Sequence, residues 1–468
     1  MGGSSPGMPP LTDLVFSSAT RLAAGIRSTQ VSAVEVLEAH LAQIASHNAA
    51  LNAVVTMDAD RARNCAREAD EASARGETWG PLHGVPFTLK DAHATAGMRT
   101  TVGFRPLADH VPREDGTVAA RLKAAGGILV GKTNVAELLA DFQTSNPVFG
   151  RTSNPWNFER TPGGSSGGAS AAVASGMTPL EVGTDLSGSI RLPSAFCGVF
   201  GLKPTEQRVS LVGVVPDPRD TPRSLRIMSC VGPMARTVDD LALVYRIIAG
   251  PDGRDTEVKP VPIEEVREPA LRKIRVAFAP TFPAFPVAAA IRHAIEALAG
   301  QLAPLCAKVE EAALPPLDFM QELQSAGALI GMVLGAFEPG GNRPPATLAA
   351  YFEALHRRDR SIVAWERFFD TWDVLLCPAS MVTAFPHCPP GSPLRVDGRD
   401  ADYWMVSGHG TVFNYSGHPA VVVPYGSDPD GLPIGVQLVG RRWDESRLLG
   451  IATAVTAVTG EFRRPPGY

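Results

Sequence analysis

Two hydrophobic patterns alternate along the chain: apolar residues at helical spacing, and short unbroken apolar runs of strand length. Ser32-Ala33-Val34-Glu35 has the form of a capping box, and it opens a helix to about residue 47 with Leu37, Leu41 and Ile44 on one face. A second, heavily charged helix over 60–75 stops at Gly76. Residues 85–89 form an apolar run that suits a buried strand ending at Lys90-Asp91. A helix over 117–125, a stop at Gly126-Gly127 and a strand over 128–131 follow. Lys132 to Asn134 reads as the opening of a helix across 137–140, and 143–157 as a polar loop. Further on, the pattern predicts helices over 169–175, from Ile190, and over 238–248 and 287–302, with strands over 180–184 and 274–278. Near the C-terminus, apolar strands over 420–424 and 434–439 flank a turn, and a helix over 445–459 is capped by Asp444 and stopped by Gly460. Alternation of this kind belongs to α/β layer folds.

Two segments break the pattern. Residues 1–10, rich in Gly, Ser and Pro, read as a disordered tail ahead of a single domain over 11–468. Between 314 and 402 the periodicity is irregular, with an apolar helix near 323–337 and a Pro-rich run over 378–393. This region reads as an insertion or lid that shapes a pocket.

The most unusual stretch is 162–204, dense in Gly, Ser and Ala, with serine clusters at Ser165-Ser166 and Ser187-Gly188-Ser189. Its GGSSGG loop has three readings: a flexible linker, a phosphate cradle or an active-site turn. The loop runs straight into a small-residue helix and is bracketed by strand signals, which weakens the linker reading. It also lacks the Gly-Lys-Ser/Thr ending of a P-loop and the GxGxxG of a dinucleotide site. The letters G-x-S-x-G do occur, at 163–167 and 164–168, but no Ser-Asp-His ordering accompanies them as in an α/β-hydrolase elbow, so a serine nucleophile here would need a base other than histidine. A lysine can serve if burial lowers its pKa, and Lys90 follows directly on an apolar run. Lysines in that position otherwise snorkel to the surface.

Composition narrows the function classes. Hydrophobic residues at 44% and charged residues at 19% describe a globular chain rather than a disordered one. The net charge of −5, without a basic run, offers nucleic acid no electrostatic footprint. Six dispersed cysteines without C-x-x-C pairs, and ten dispersed histidines without HExxH, argue against a metal site, a cofactor or a disulfide framework. With no signal-peptide pattern and no apolar run of about 18 residues, the expectation is a cytoplasmic protein, monomer or homodimer, acting on a small molecule away from membranes.

Several motifs together resemble the amidase signature family of serine hydrolases. They are Lys90-Asp91, PGGSSGGASAAVASG from Pro162, GTDLSGSIRLPSAFCGVFGLKPT from Gly183, GKTNVAELLADFQTSNPVFGRTSNPWN from Gly131, and FNYSGHPAVVVPYG with GLPIGVQLVG from Phe413 onward. They span most of the chain, although about 250–402 carries none. The resemblance implies a large mixed, twisted β-sheet covered by helices on both faces. It implies hydrolysis of a C–N bond through Ser189 as nucleophile, Ser165 as a relay preceded by a cis peptide after Gly164, and Lys90 as base. It also places an oxyanion hole on the amides of Leu186, Ser187, Gly188 and Ser189. Ser187 stands where many members have glycine.

Around these, Asp185 and Arg191 either brace the nucleophile turn or contact substrate, with bracing favoured. Phe142, Gln143, Thr144 and Arg208 are candidate substrate contacts, with Ser145 and Asn146 beside them. Asp91 is expected to orient backbone rather than to neutralise Lys90. Leu138, Leu139, Phe142 and the Pro-rich run suggest an apolar pocket for aryl or alkyl amides, with carbamates and esters next. The alternatives are the amidase component of a tRNA-dependent amidotransferase and a non-catalytic binding homologue.

Overall fold

The computed structural model describes residues 13–215, 226–335 and 346–468; the 1–10 segment and the end of the 323–337 helix lie outside them. The principal sheet has eight strands, in the order Lys308–Glu311, Arg275–Phe278, Val374–Pro378, Pro433–Val439, Ala420–Ser427, Phe200–Lys203, Cys230–Ala235 and Leu180–Asp185. The first three run parallel and the remaining pairings are antiparallel, so the sheet is mixed.

Its interior strands, such as Val374–Pro378 and Pro433–Val439, are buried on both faces because both are covered, whereas the edge strand Lys308–Glu311 is polar and mostly exposed. Alternate residues feed different cores: Val374 and Leu376 pack with Ile291, Ile295 and Leu449, whereas Leu375 and Cys377 pack with Trp365 and Phe413. Helices Ala289–Leu302 and Glu445–Thr459 supply the first set, and helices Leu348–Thr371 and Gly408–Tyr415 the second. No helix among the described residues is long and apolar enough to cross a membrane.

A smaller sheet carries the lysine. Strand Ile128–Thr133 sits between Val54–Met57 and Pro86–Lys90, parallel to the latter through the crossover helix Thr117–Ala124. Pro86–Lys90 in turn lies against Leu180–Asp185 of the large sheet. This packing brings the two strand ends, at Lys90 and Asp185, to one place.

Two sequence expectations differ from the fold. The helix expected to open at Lys132 does not form, because Lys132 and Thr133 continue to pair with Leu89 and Lys90. Sheet pairing there overrides the polar start signal, and Glu137–Leu139 is a single 3-10 turn with Leu138 and Leu139 at φ 50° and 62°. The 314–402 region is also more than an insertion: after helices Phe319–Gly335 and Leu348–Thr371 it supplies Val374–Pro378, a fully buried interior strand. The 143–157 loop folds into a small hairpin pairing Ser145–Asn146 with Gly150–Arg151.

Candidate active site

The first turn of the Gly/Ser-rich stretch is held by Thr144, whose hydroxyl donates to the Gly163 carbonyl and accepts from the Gly167 amide, both at 2.9 Å. Gly164 fits where other residues do not, since a Cβ would lie 2.7 Å from the Asp141 carbonyl oxygen. The Gly164–Ser165 peptide bond is cis. A bond of 3.3 Å from the Ser166 amide to the Ser189 carbonyl ties this turn to the second one.

The second turn is built on Asp185. Its carboxylate accepts the amides of Gly188 at 2.8 Å and Ile190 at 3.1 Å, together with the Arg191 guanidinium at 2.9 and 3.0 Å. Arg191 also reaches the Gly410 carbonyl and the side chains of Gln437 and Asn414. Burial by itself would push the Asp185 carboxyl up, but the Arg191 guanidinium overrides it and holds the group well below the usual carboxylate range. Asp185 and Arg191 are thus a brace, both wholly buried. Breaking a buried pair strands one charge, so Arg191→Met is expected to lower stability by about 3–5 kcal/mol. Chemical denaturation checks this, and a loss below about 1 kcal/mol would show that the pair braces nothing.

The brace changes the expected oxyanion hole. With its amide committed to Asp185, Gly188 serves the turn by conformation, at φ 101°, where a Cβ would also lie 1.8 Å from Ser407 Oγ. The amides of Leu186, Ser187 and Ser189 donate to no acceptor among the described residues. Ser187 Oγ is engaged by Thr411 Oγ1 at 2.5 Å, which accounts for the hydroxyl at this position.

Lys90 ends its strand wholly buried, with Nζ 2.8 Å from Ser165 Oγ, 2.8 Å from Ser166 Oγ and 2.7 Å from Thr184 Oγ1. Burial pulls its pKa from 10.5 down to about 7, against the opposing pull of the Asp185 and Glu181 carboxyls. A neutral amine offers two N–H donors and one lone pair, so one of three surrounding hydroxyls must donate to it. Ser166 directs its own proton to the Thr184 carbonyl at 3.4 Å, which leaves Ser165 and Thr184 to face the lone pair. Asp91 binds the Thr101 amide and hydroxyl instead of Lys90.

Ser165, Ser187 and Ser189 open into a cavity of about 370 Å³ whose wall includes Leu138, Leu139, Phe142, Leu211, Val214 and Trp404. Among the described lining residues there is no histidine, arginine or lysine, and the only ionisable groups are Asp141 and Asp185. Ser165 and Ser189 line the same cavity, and no direct hydrogen bond joins their hydroxyls among the described residues. Such contacts are often loose until substrate binds.

Three of the four proposed substrate contacts lie outside this lining. Gln143 donates to the Cys388 carbonyl at 2.7 Å and the Tyr403 hydroxyl at 3.1 Å. Thr144 braces the first turn, and Arg208 is buried on Tyr245 and the carbonyls of Val261 and Pro262. Asn146 likewise serves Asn134 and Val135. In each case the polar head is consumed by backbone or a neighbouring side chain, a fate that sequence spacing does not reveal. The Pro-rich run contributes Pro389 and Pro390 to a separate depression beyond Gln143. Sequence reasoning marks Ser166 only as part of a serine cluster, without its contact to Lys90, and misses Thr184, which adjoins Asp185 in the motif. Trp404, Leu211 and Val214 carry no sequence signal.

The amidase family matches residues 35–334 and 335–449, nearly the whole chain. This chain belongs to the amidase signature family. This amidase is accordingly a hydrolase acting on C–N bonds, with the mixed sheet expected of the fold. A glutamyl-tRNA(Gln) amidotransferase subunit of Roseiflexus sp. (strain RS-1) is 36% identical over 484 residues, covering 93% of this chain and 95% of its own. A bacterial aryl acylamidase of the amidase signature family superposes with a TM-score of 0.82 at 27% identity, covering 95% of the amidase and 96% of its own chain. One protein from a vestigial complex linked to the origins of an s-triazine catabolic enzyme reaches 0.84 at 31% identity, covering 96% and 99%.

Proposed function

We propose that this amidase hydrolyses small, largely apolar amides, aryl or alkyl, with carbamates and esters next, through a Ser189–Ser165–Lys90 relay. The observation that carries the reading is the buried Lys90 amine 2.8 Å from Ser165 at the cavity that also holds Ser189. Neutral Lys90 takes the proton of Ser165 as Ser165 takes that of Ser189, and Ser189 Oγ attacks the carbonyl carbon. The tetrahedral oxyanion is received by the amides of Leu186, Ser187 and Ser189, each essential donor of this kind being worth about 3–4 kcal/mol. Collapse of that intermediate breaks the C–N bond while the relay returns its proton to the leaving nitrogen. Water, deprotonated by the same relay, then cleaves the acyl-Ser189 ester.

Cavity size and lining support the substrate class. About 370 Å³ is at the small end of ligand sites, and the walls are aliphatic and aromatic. The amidotransferase relatives favour a second reading, a glutaminase that feeds a partner enzyme. Glutamine brings a carboxylate and an ammonium group, whereas the described lining is mostly aliphatic and aromatic. A panel of aryl amides, alkyl amides, carbamates, esters and glutamine tests the choice. Turnover of the apolar substrates by the isolated chain is expected, whereas glutamine hydrolysis appearing only with a partner would overturn it. Failure of Ser189 to react with a fluorophosphonate probe would instead indicate a binding homologue.

The pH profile is a separate test. The relay needs Lys90 unprotonated, and its pKa is lowered to about 7. Activity is therefore expected to be low below about pH 6, to rise through 7 and to level off in the alkaline range. An acidic optimum would contradict Lys90 as base.

A further inference from the structure

We propose that the Asp141 carboxylate is a recognition point for a substrate ammonium group, so that amides bearing a protonated amine are preferred substrates of this cavity. The inference rests on the reading of the Ser165/Ser189 cavity as the substrate site, and it adds a polar determinant to an otherwise apolar wall.

Asp141 lines the same cavity as Ser165 and Ser189. Its position is fixed at the backbone, where its carbonyl oxygen closes on Gly164 beside the first turn. The side chain is also held: the Phe142 amide at 2.8 Å and the Tyr403 hydroxyl at 2.5 Å both donate to Oδ1. Oδ2 receives neither of these bonds, and the Gln143 amide also draws on the carboxylate. The other lining carboxylate, Asp185, is consumed by Arg191, while Asp141 has no arginine, lysine or histidine partner among the described residues. A carboxylate oriented by the Tyr403 hydroxyl and the Phe142 and Gln143 amides, without a countercharge among the described residues, is suited to complete its shell with a cation from outside.

The surroundings match an organic cation. Phe142 and Trp404 line the cavity, their ring centroids 6.0 Å apart, and Tyr403 packs on both, at 6.2 Å from Phe142 and 5.1 Å from Trp404. Aromatic faces beside a carboxylate attract an ammonium group through the ring quadrupole. Burial pushes the Asp141 carboxyl up from its usual value, a penalty that an incoming cation would relieve. The described lining of this cavity contains no basic side chain; Lys90 lies behind Ser165, and Arg151 and His387 line the neighbouring depression that Asp141 also borders.

The experiment is binding rather than turnover, so that it stands apart from the hydrolase reading. Calorimetry on Ser189→Ala would compare 3-phenylpropylammonium with the neutral 3-phenylpropanol at low ionic strength. The ammonium is expected to bind about tenfold tighter or better, as for a hydrogen bond to a charged group. Adding Asp141→Asn should bring the ratio to about one. Equal affinities, no ammonium binding, or a preference that survives Asp141→Asn would each overturn the proposal. Should the Asp141→Asn protein fail to fold, the ratio measured with Asp141 present still decides it, and its weakening by salt is the accompanying sign. Failure of the hydrolase reading would show elsewhere, as absence of turnover by the unaltered enzyme.

Discussion

Ser189→Ala is expected to lower kcat on any amide the enzyme turns over by about a million-fold, the scale seen when a serine hydrolase loses its nucleophile. The size follows from what Ser189 does in the proposed relay. Its oxygen forms the acyl bond, and no neighbouring group can take over, because Ser165 faces Lys90 and Ser187 is engaged by Thr411. The fold should survive, since Ser189 contributes to the framework through its backbone carbonyl, which accepts from the Ser166 amide. Two measurements check the prediction: kcat, and peptide mapping of a fluorophosphonate adduct on the unaltered enzyme. A variant that kept activity within about tenfold would remove Ser189 from the chemistry.

Lys90→Met should cost about ten-thousand-fold in kcat/KM, the upper range for loss of a general base. Methionine keeps the length and apolar stem of the lysine but offers no lone pair that can take a proton. The hydroxyls of Ser165, Ser166 and Thr184 converge on this amine, so its removal leaves the relay with no sink. Two signatures separate a base from a merely structural lysine. The rise in activity through about pH 7 should vanish with the amine, since it reports the lowered pKa of Lys90. Combining Lys90→Met with Ser189→Ala should cost no more than Ser189→Ala alone, because groups that act as one unit are not additive. An unchanged pH profile or an additive loss would point to another base.

Much of this site is local in the chain. GGSSGG, TDLSGSIR and the Lys90 strand end are short segments in which residue type and order carry the signal, so the residues proposed as nucleophile, relay and base stand out before any coordinates. The Asp185–Arg191 brace is legible too, because its partners lie six positions apart in one contiguous motif. Hydrogen-bond choice is not. Gly188 looks like an oxyanion donor, yet its amide belongs to Asp185. Gln143, Thr144 and Arg208 look like substrate contacts, yet their polar heads are spent inside the protein. Such competition among acceptors depends on which segments meet in space.

The amino-acid sequence by itself determined the family and the α/β alternation and pointed to the proposed reacting groups, because these reside in periodicity and in contiguous motifs. Tertiary structure alone decided the electrostatic state of Lys90, whose lowered pKa comes from complete burial between two sheets whose strands are far apart in sequence. It also decided the cavity walls, where Phe142, Leu211 and Trp404 converge from separate segments, and the Asp141 carboxylate among them, which unlike Asp185 has no arginine partner among the described residues. Burial and desolvation are properties of assembled surfaces, and no single stretch of chain carries them.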